Sequence, residues 1–404
     1  MKKVLLLGIG SAAGLLVAEA VLQLFSLLVP ARMDFLRQAR APISLKDARL
    51  GLRPNPDFPD HDAGGYRNAS VPPEADVVAL GDSHTYGTGV RREENWPHRL
   101  AERTGRTVYG ISCGGWGPTQ SLILFDGALA LKPRLVVEAF YTGNDLFDCF
   151  DTVYGDHGLP QLATDEPASA QAIRAAERRE PLKERYDGLY RLLLEGTPAG
   201  APPPPAFRAR SLRSFLREHS KLYQLASVAR YRVTRMFRRS GWEAEKEKAR
   251  QGPAREFYRI FEQGAFRTIF TPVYRTAAMD LEDPRIAEGL RIALEALRSM
   301  SERAREAGTE LLVLLIPTKE LVFRDEAAKA PPAEDYWWVI EKEQIIRTRT
   351  MEFLRGRGIP FLDTLPALRE SLARGLQPYP ESADGHPNPE GHRIIAGVVA
   401  AEME

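Results

Sequence analysis

The chain has 404 residues, enough at roughly 150 per domain for two or three domains, or for one enlarged by insertions, with a core that needs no metal or disulfide staples. Its 55 Lys+Arg against 54 Asp+Glu leave a net charge of +1, which removes the long-range field of a nucleic-acid binder, so no nucleic-acid partner is expected. A hydrophobic content of 44% and a charged content of 27% exclude collagen-like, coiled-coil and wholly disordered classes, and two cysteines make neither a disulfide framework nor a metal set.

At the N-terminus Lys2 and Lys3 precede an apolar stretch over 4–29 that Glu19 and Gln23 interrupt. About 26 residues at ~1.5 Å each cross a ~30 Å hydrocarbon layer, and no small-x-small cleavage site precedes Pro30. The stretch predicts an uncleaved transmembrane anchor over 1–30, single-pass in the inner membrane. The two lysines keep the N-terminus cytoplasmic and place the bulk in the periplasm or outside the cell, although Arg32, Arg37 and Arg40 weaken the asymmetry. A buried N-terminal helix of a soluble protein is the bland alternative. Glu19 is expensive in lipid, so it snorkels, meets a helix partner or lies near the outer interface.

Residues 31–73 are rich in Pro, Asp, Asn and Gly and read as an irregular linker. A first domain part follows over 74–150, with short apolar strands at 76–80, 108–111 and 135–140 and helical character up to 102. Residues 151–280 read as a mostly helical insertion or cap, with helices over 211–237 and 256–270 and no second sheet. The basic run 230–239 is read as a solvated helix face, given the acidic residues after it. The second domain part, 281–404, carries a helix over 286–307 and strands at 310–316 and 359–362. Strands separated by crossover helices predict a parallel α/β fold.

The chemistry concentrates at strand ends. Gly81-Asp82-Ser83 follows a buried-type strand and opens a helix, so Ser83 stands where backbone N–H groups can hold developing negative charge. Far downstream, Asp384-Gly385-His386 offers an imidazole to take the proton of Ser83 and a carboxylate to fix its tautomer. Gly115 follows the second strand, where its N–H can approach a substrate oxygen, and Asn144 follows the third with a side-chain amide. The N–H groups of Ser83 and Gly115 and the amide of Asn144 are the candidate oxyanion donors. Each motif alone reads as a tight turn or a cap; their order along the chain is what gives them meaning.

In that order the sequence resembles the SGNH or GDSL hydrolase superfamily, with Gly81-Asp82-Ser83, Gly115, Gly143-Asn144-Asp145 and Asp384/His386 as the matching blocks. The resemblance implies a three-layer αβα sandwich of flavodoxin-like type, with Ser83 as nucleophile, His386 as base and Asp384 as its orienter. The single residue between Asp384 and His386, and His84 in place of leucine after the serine, are similar to the membrane-linked alginate and peptidoglycan O-acetyltransferase-like branch.

That branch implies acetyl esters of cell-surface carbohydrate as substrates, no cofactor, and a multispanning membrane acyltransferase as a partner that donates the acyl group. A lipid esterase or thioesterase, and a non-catalytic polysaccharide-assembly protein of the same fold, are the other readings. His84 and Lys319 are candidate substrate contacts beside structural or solvated alternatives, and His392 is expected to stabilise the start of its helix. Cys113 and Cys149, at neighbouring strand ends, are open to a disulfide or to two buried thiols.

Overall fold

The computed structural model describes residues 10, 14–25, 41–156, 158–195, 220–223, 225–226 and 241–403. The chain divides into two compact units. The smaller comprises Met1–Ile43, Asp57–Pro59 and Ala201–Gly241. In it residues 14–25 are helical, and Leu15, Leu16, Val17, Val21 and Leu24 are exposed. Glu19 has found partners: it accepts hydrogen bonds from Ser220 Oγ, from the backbone N–H groups of Lys221 and Leu222, and from Gln23. Among the described residues no helix is long and apolar enough to cross a membrane. The remainder of the expected anchor, the basic run 230–239 and most of the helix expected over 211–237 lie outside the described residues.

The larger unit comprises Ser44–Pro56, Asp60–Gly200 and Trp242–Glu404. Its strands are β1 (Ser44–Asp47), β2 (Gly51–Pro54), β3 (Val77–Gly81), β4 (Val108–Ser112), β5 (Leu135–Tyr141), β6 (Arg259–Gln263), β7 (Phe266–Phe270), β8 (Glu310–Ile316) and β9 (Phe361–Asp363). The helices that matter for the site are α1 (Ser83–Tyr86), α2 (Trp96–Thr104), α3 (Pro118–Leu129), α4 (Asp145–Phe150), α5 (Pro167–Arg179), α6 (Leu182–Tyr190), α7 (Trp242–Gln251), α8 (Pro272–Met279), α9 (Pro284–Glu306), α10 (Lys319–Val322), α11 (Glu334–Arg357), α12 (Leu365–Ala373) and α13 (Pro389–Glu402).

Five strands form one parallel sheet in the order β4-β3-β5-β8-β9. Numbered by their order within the sheet this is 2-1-3-4-5, the flavodoxin-like winding, whose ligand crevice lies at the carboxyl ends of the two strands where the winding reverses, here β3 and β5. Alternating residues build a core on each face, as expected of a sheet covered on both sides. Val78, Leu80, Val136, Phe140, Val313 and Leu315 pack with Phe125 of α3 and Ile292, Ala293 and Leu297 of α9. Val77, Ala79, Val137, Ala139, Leu312 and Leu314 pack with Trp96 and Leu100 of α2 and Ile395 and Val399 of α13. The three-layer αβα arrangement is thus present, and all five expected strands are in it with ends shifted by at most two residues.

The insertion differs from its sequence reading. The helix expected over 256–270 is an antiparallel hairpin of β6 and β7, with Gln263 paired to Phe266 around Gly264-Ala265. Gly264 has φ +59°, the left-handed first position of a tight hairpin turn, and the flanks are rich in aromatic and β-branched residues that favour strands. Phe261, Phe266 and Phe270 then pack in a third core with Phe323, Tyr336 of α11 and Leu368 of α12. Helices α5, α6, α7 and α8 also belong to the insertion.

The expected linker also carries more structure than its composition suggests. Residues Ser44–Asp47 and Gly51–Pro54 form a β1–β2 hairpin. Beyond it Arg67 donates to the carbonyls of Tyr86, Gly87 and Val90, fastening the loop after α1, while Asn68 bonds both backbone groups of Gly110 in β4.

Candidate active site

The crevice begins at the turn from β3 into α1. Gly81 has φ +147°, and a Cβ there would stand 2.5 Å from Thr85 Oγ1 and 3.1 Å from Ala139 Cβ, so only glycine permits so abrupt a turn. Asp82 caps α1, its Oδ1 accepting the N–H of His84 at 2.8 Å. Ser83, the first helical residue, is left half-buried at the carboxyl edge of the sheet.

From the far end of the chain, the loop before α13 brings in the imidazole. Ser83 Oγ lies 2.8 Å from His386 Nε2, and His386 Nδ1 lies 2.6 Å from Asp384 Oδ1, which also accepts the backbone N–H of His386 at 3.0 Å. The sequence-predicted serine, histidine and aspartate therefore form one hydrogen-bonded chain. Partial burial pushes the Asp384 carboxyl up. The imidazole of His386, the hydrogen bonds it receives and the charge of Lys319 outweigh that effect and hold it well below the usual carboxylate range.

The oxyanion candidates occupy the two neighbouring strand ends. After β4, a Cβ on Gly114 would stand 3.7 Å from Ser83 Cβ, and Gly115 has φ +77° with open space around it. After β5, Asn144 is half-buried and directly precedes α4. Its amide donates to Asp148 Oδ2; an amide has two N–H groups, so one remains for a ligand. Burial, helped by the nearby carboxylates of Asp82 and Asp151, drives the Asp148 carboxyl well above its ordinary pKa.

Two expected contacts need correction. His84 is 2% exposed, leaving it no surface for substrate. Its Nδ1 bonds Asp82 Oδ2 at 3.0 Å, and its ring packs against Tyr141, at 3.7 Å between centroids, and lies 4.9 Å from the ring of His386. Burial keeps its pKa below the ordinary imidazole value despite the carboxylate of Asp82. Lys319, 1% exposed, is likewise withdrawn from substrate, because its ammonium is taken up by the carbonyls of Ile269, Ser382 and Asp384.

His392 is fully buried in α13 without a ring partner among the described residues. The helix start is capped instead by Asn388, which accepts the N–H groups of Glu390 and Gly391. Cys113 and Cys149 are both free and buried.

Sequence reasoning missed three groups. Asp82 Oδ2 lies 3.2 Å from Ser83 Oγ; an aspartate one residue before a helix was a readable capping signal. Arg275 of α8 reaches the site from the insertion. Its guanidinium lies over the Tyr141 ring and against Gly385, where a Cβ would overlap it. Glu320 is buried beside it, 3.9 Å from Arg275 Nε, and accepts the N–H of Thr271. Nothing in the local pattern marked either residue.

Residues 79–240 match the model of the GDSL-like Lipase/Acylhydrolase family. A comparison with curated proteins finds no match. Among solved structures, a lipolytic protein of the G-D-S-L family from Desulfitobacterium hafniense is similar at 12% identity and TM-score 0.36, over 80% of this chain and 97% of that one. A GDSL-like lipase from Bacteroides thetaiotaomicron is similar at 13% identity and TM-score 0.32, over 81% and 86%. A catalytic mutant of an acetylxylan esterase from Geobacillus stearothermophilus is similar at 11% identity and TM-score 0.35, over 82% and 95%. The family match begins three residues before Asp82, so the serine that is hydrogen-bonded to His386 lies within the region similar to the GDSL-like lipase/acylhydrolases.

Proposed function

We propose that the protein is a membrane-anchored, extracytoplasmic serine esterase or O-acyltransferase acting on acetyl esters of cell-surface carbohydrate through Ser83, His386 and Asp384. The observation that carries this reading is the hydrogen-bond chain from Ser83 Oγ through His386 to Asp384 at 2.8 and 2.6 Å. Ser83 Oγ attacks the ester carbonyl carbon while its proton passes to His386 Nε2. The negative charge that develops on the carbonyl oxygen is met by the N–H groups of Ser83 and Gly115 and the free amide N–H of Asn144. His386 then returns its proton to the departing alcohol oxygen, leaving acyl-Ser83. Water, or a sugar hydroxyl, gives its proton to His386 and attacks the acyl carbon, and Ser83 Oγ leaves with the proton from His386. Asp384 holds the imidazole with Nε2 facing the serine and stabilises its charge.

A carbohydrate acceptor fits the openness of the site. Gly114 and Gly115 are exposed, and the side chains of Asp384 and His386 retain 41% and 24% of their surface, so a polymer can lie across the triad. Membrane attachment through residues 1–30 is supported by the apolar run 4–29 and by the exposed Leu15, Leu16, Val17, Val21 and Leu24 on its described part. Retention of the full chain in the membrane pellet after an alkaline carbonate wash is the expected result, and release into the supernatant would count against the anchor.

The test of the chemistry is turnover of p-nitrophenyl acetate and longer acyl esters by the full chain and by Ser83→Ala. Acetate turnover should fall by roughly 10⁴-fold or more in the variant, with longer chains poorly used. Equal rates in both proteins would overturn the serine mechanism. Acetylation of an added oligosaccharide, read by mass, would place the chain among transferases, and free acetate alone would mark a hydrolase.

A further inference from the structure

Lys319 is a cation buried to 1% exposure with no carboxylate within ion-pair distance among the described residues. An isolated buried charge is costly unless its donors are satisfied. Here three carbonyl oxygens do so, those of Ile269 at 2.9 Å, Ser382 at 2.9 Å and Asp384 at 3.0 Å. An ammonium has three N–H donors, so the match is one to one. Two of the acceptors lie on the segment that leads into His386, and the third is the penultimate residue of β7.

The neighbours of Lys319 in the sequence are anchored as firmly. Thr318 donates its backbone N–H and its hydroxyl to Glu343 of α11, which also accepts the hydroxyl of Thr142 beyond β5. Glu320 accepts the N–H of Thr271 and faces Arg275, on which Gly385 rests. The Asp384-Gly385-His386 turn is therefore held by the Lys319 ammonium at the Asp384 carbonyl and packed against the Arg275 guanidinium at Gly385.

We propose that Lys319 is a positioning residue that sets the Asp384-Gly385-His386 turn by gathering the Ser382 and Asp384 carbonyls, and does so only while its nitrogen carries three protons. The proposal rests on the triad reading above. A neutral amine has two N–H groups for three carbonyls, so deprotonation releases one acceptor and lets the turn relax. Burial pushes the Lys319 pKa down to about 8, Glu320 on its own helix and Asp384 on the turn oppose that shift, and Arg275 of α8 adds to it. Activity should accordingly fall as pH rises through about 8, with kcat affected more than KM because the acyl-binding surface is untouched.

The experiment compares the full-length protein with Lys319→Met and Lys319→Arg, measuring kcat and KM on p-nitrophenyl acetate from about pH 6 to about pH 10 against the buffer background. Wild type should show an alkaline decline centred near pH 8. Lys319→Met should lose about 10²-fold in kcat, the order expected for a misplacement of ~1 Å, with KM little changed and the decline absent. Lys319→Arg keeps its charge and donors throughout this range and should recover part of kcat, also without the decline.

Wild-type kcat in Lys319→Met, or persistence of the decline in it, would overturn the proposal. So would a loss of activity that only follows the folded fraction read by circular dichroism. If Lys319→Met does not fold, wild type against Lys319→Arg decides alone, and a shared decline overturns the proposal. The Ser83→Ala control separates the two failures. Loss of turnover there with a neutral Lys319→Met removes only the positioning role, whereas full turnover in Ser83→Ala removes the triad reading itself.

Discussion

Asp82-Ser83-His84 and Asp384-Gly385-His386 are the same local structure formed twice. In each, the aspartate accepts the backbone N–H of the histidine two residues on, at 2.8 and 3.0 Å, and its carboxylate meets the ring Nδ1, at 3.0 and 2.6 Å. The two imidazoles lie 4.9 Å apart. What separates them is surroundings. His84 is sealed beneath Tyr141 at 2% exposure, whereas the side chain of His386 keeps 24% of its surface and faces Ser83. A carboxylate-imidazole pair is thus a common local product of Asp-x-His. Its chemistry depends on what the other ring nitrogen can reach.

Exchanging the histidines tests that difference most sharply. His386→Ala should lower kcat by roughly 10⁴–10⁶-fold, and Asp384→Asn by about 10⁴-fold through loss of the correct tautomer. His84→Phe, which keeps a ring against Tyr141, should cost about tenfold or less, the worth of a stacking contact. Steady-state kinetics on p-nitrophenyl acetate checks all three, and comparable losses from both histidine variants would erase the distinction.

A smaller change addresses the residue between each pair. The middle residue of the first turn is the proposed nucleophile; that of the second is a glycine pressed on Arg275. Gly385→Ala has to displace a guanidinium that is itself buried, and kcat should fall about 10²-fold while the unfolding midpoint moves little. An unchanged kcat would mean that Arg275 yields.

The mildest effect concerns pH and stability. Burial holds His84 below the ordinary imidazole pKa and lowers His392 to about 3. Below about pH 6.5 the unfolded chain binds protons at these positions that the folded chain refuses. Stability is therefore full above that pH and declines toward acid, by up to about 1.4 kcal/mol per pH unit for each such group. Thermal melts of His392→Leu against wild type, followed from about pH 6.5 down to about pH 4, should show the flatter slope in the variant. Parallel slopes would mean that His392 takes up its proton in the folded state.

The parts of the molecule legible in the sequence are those where a short pattern has one cheap solution. Short apolar runs gave strands, and Ser83, Gly115 and Asn144 fall just beyond the ends of β3, β4 and β5 because a parallel sheet gathers its carboxyl ends on one edge. The pairing of His386 with Asp384 follows from their spacing, though meeting Ser83 depends on the whole sheet.

The 256–270 segment reads as a helix because alternation in a short aromatic run is weak, whereas the turn chemistry of Gly264-Ala265 makes it a hairpin. Lys319 and His84 were misread for a different reason. Polar side chains beside a site suggest substrate, but burial follows from what packs on them, and here that is β7, α8 and the loop before α13, elements distant in sequence. Arg275 was invisible for the same reason.

Ser83 and His386 are 303 residues apart. A chain made from its N-terminus therefore carries the serine, its cap and both flanking strand ends long before the imidazole exists. Through that interval Ser83 is an ordinary alcohol. Under the proposed mechanism, activity waits until the loop ahead of α13 has docked and His386 reaches Ser83. The order of the motifs along the chain thus makes completion of the fold the condition for reactivity.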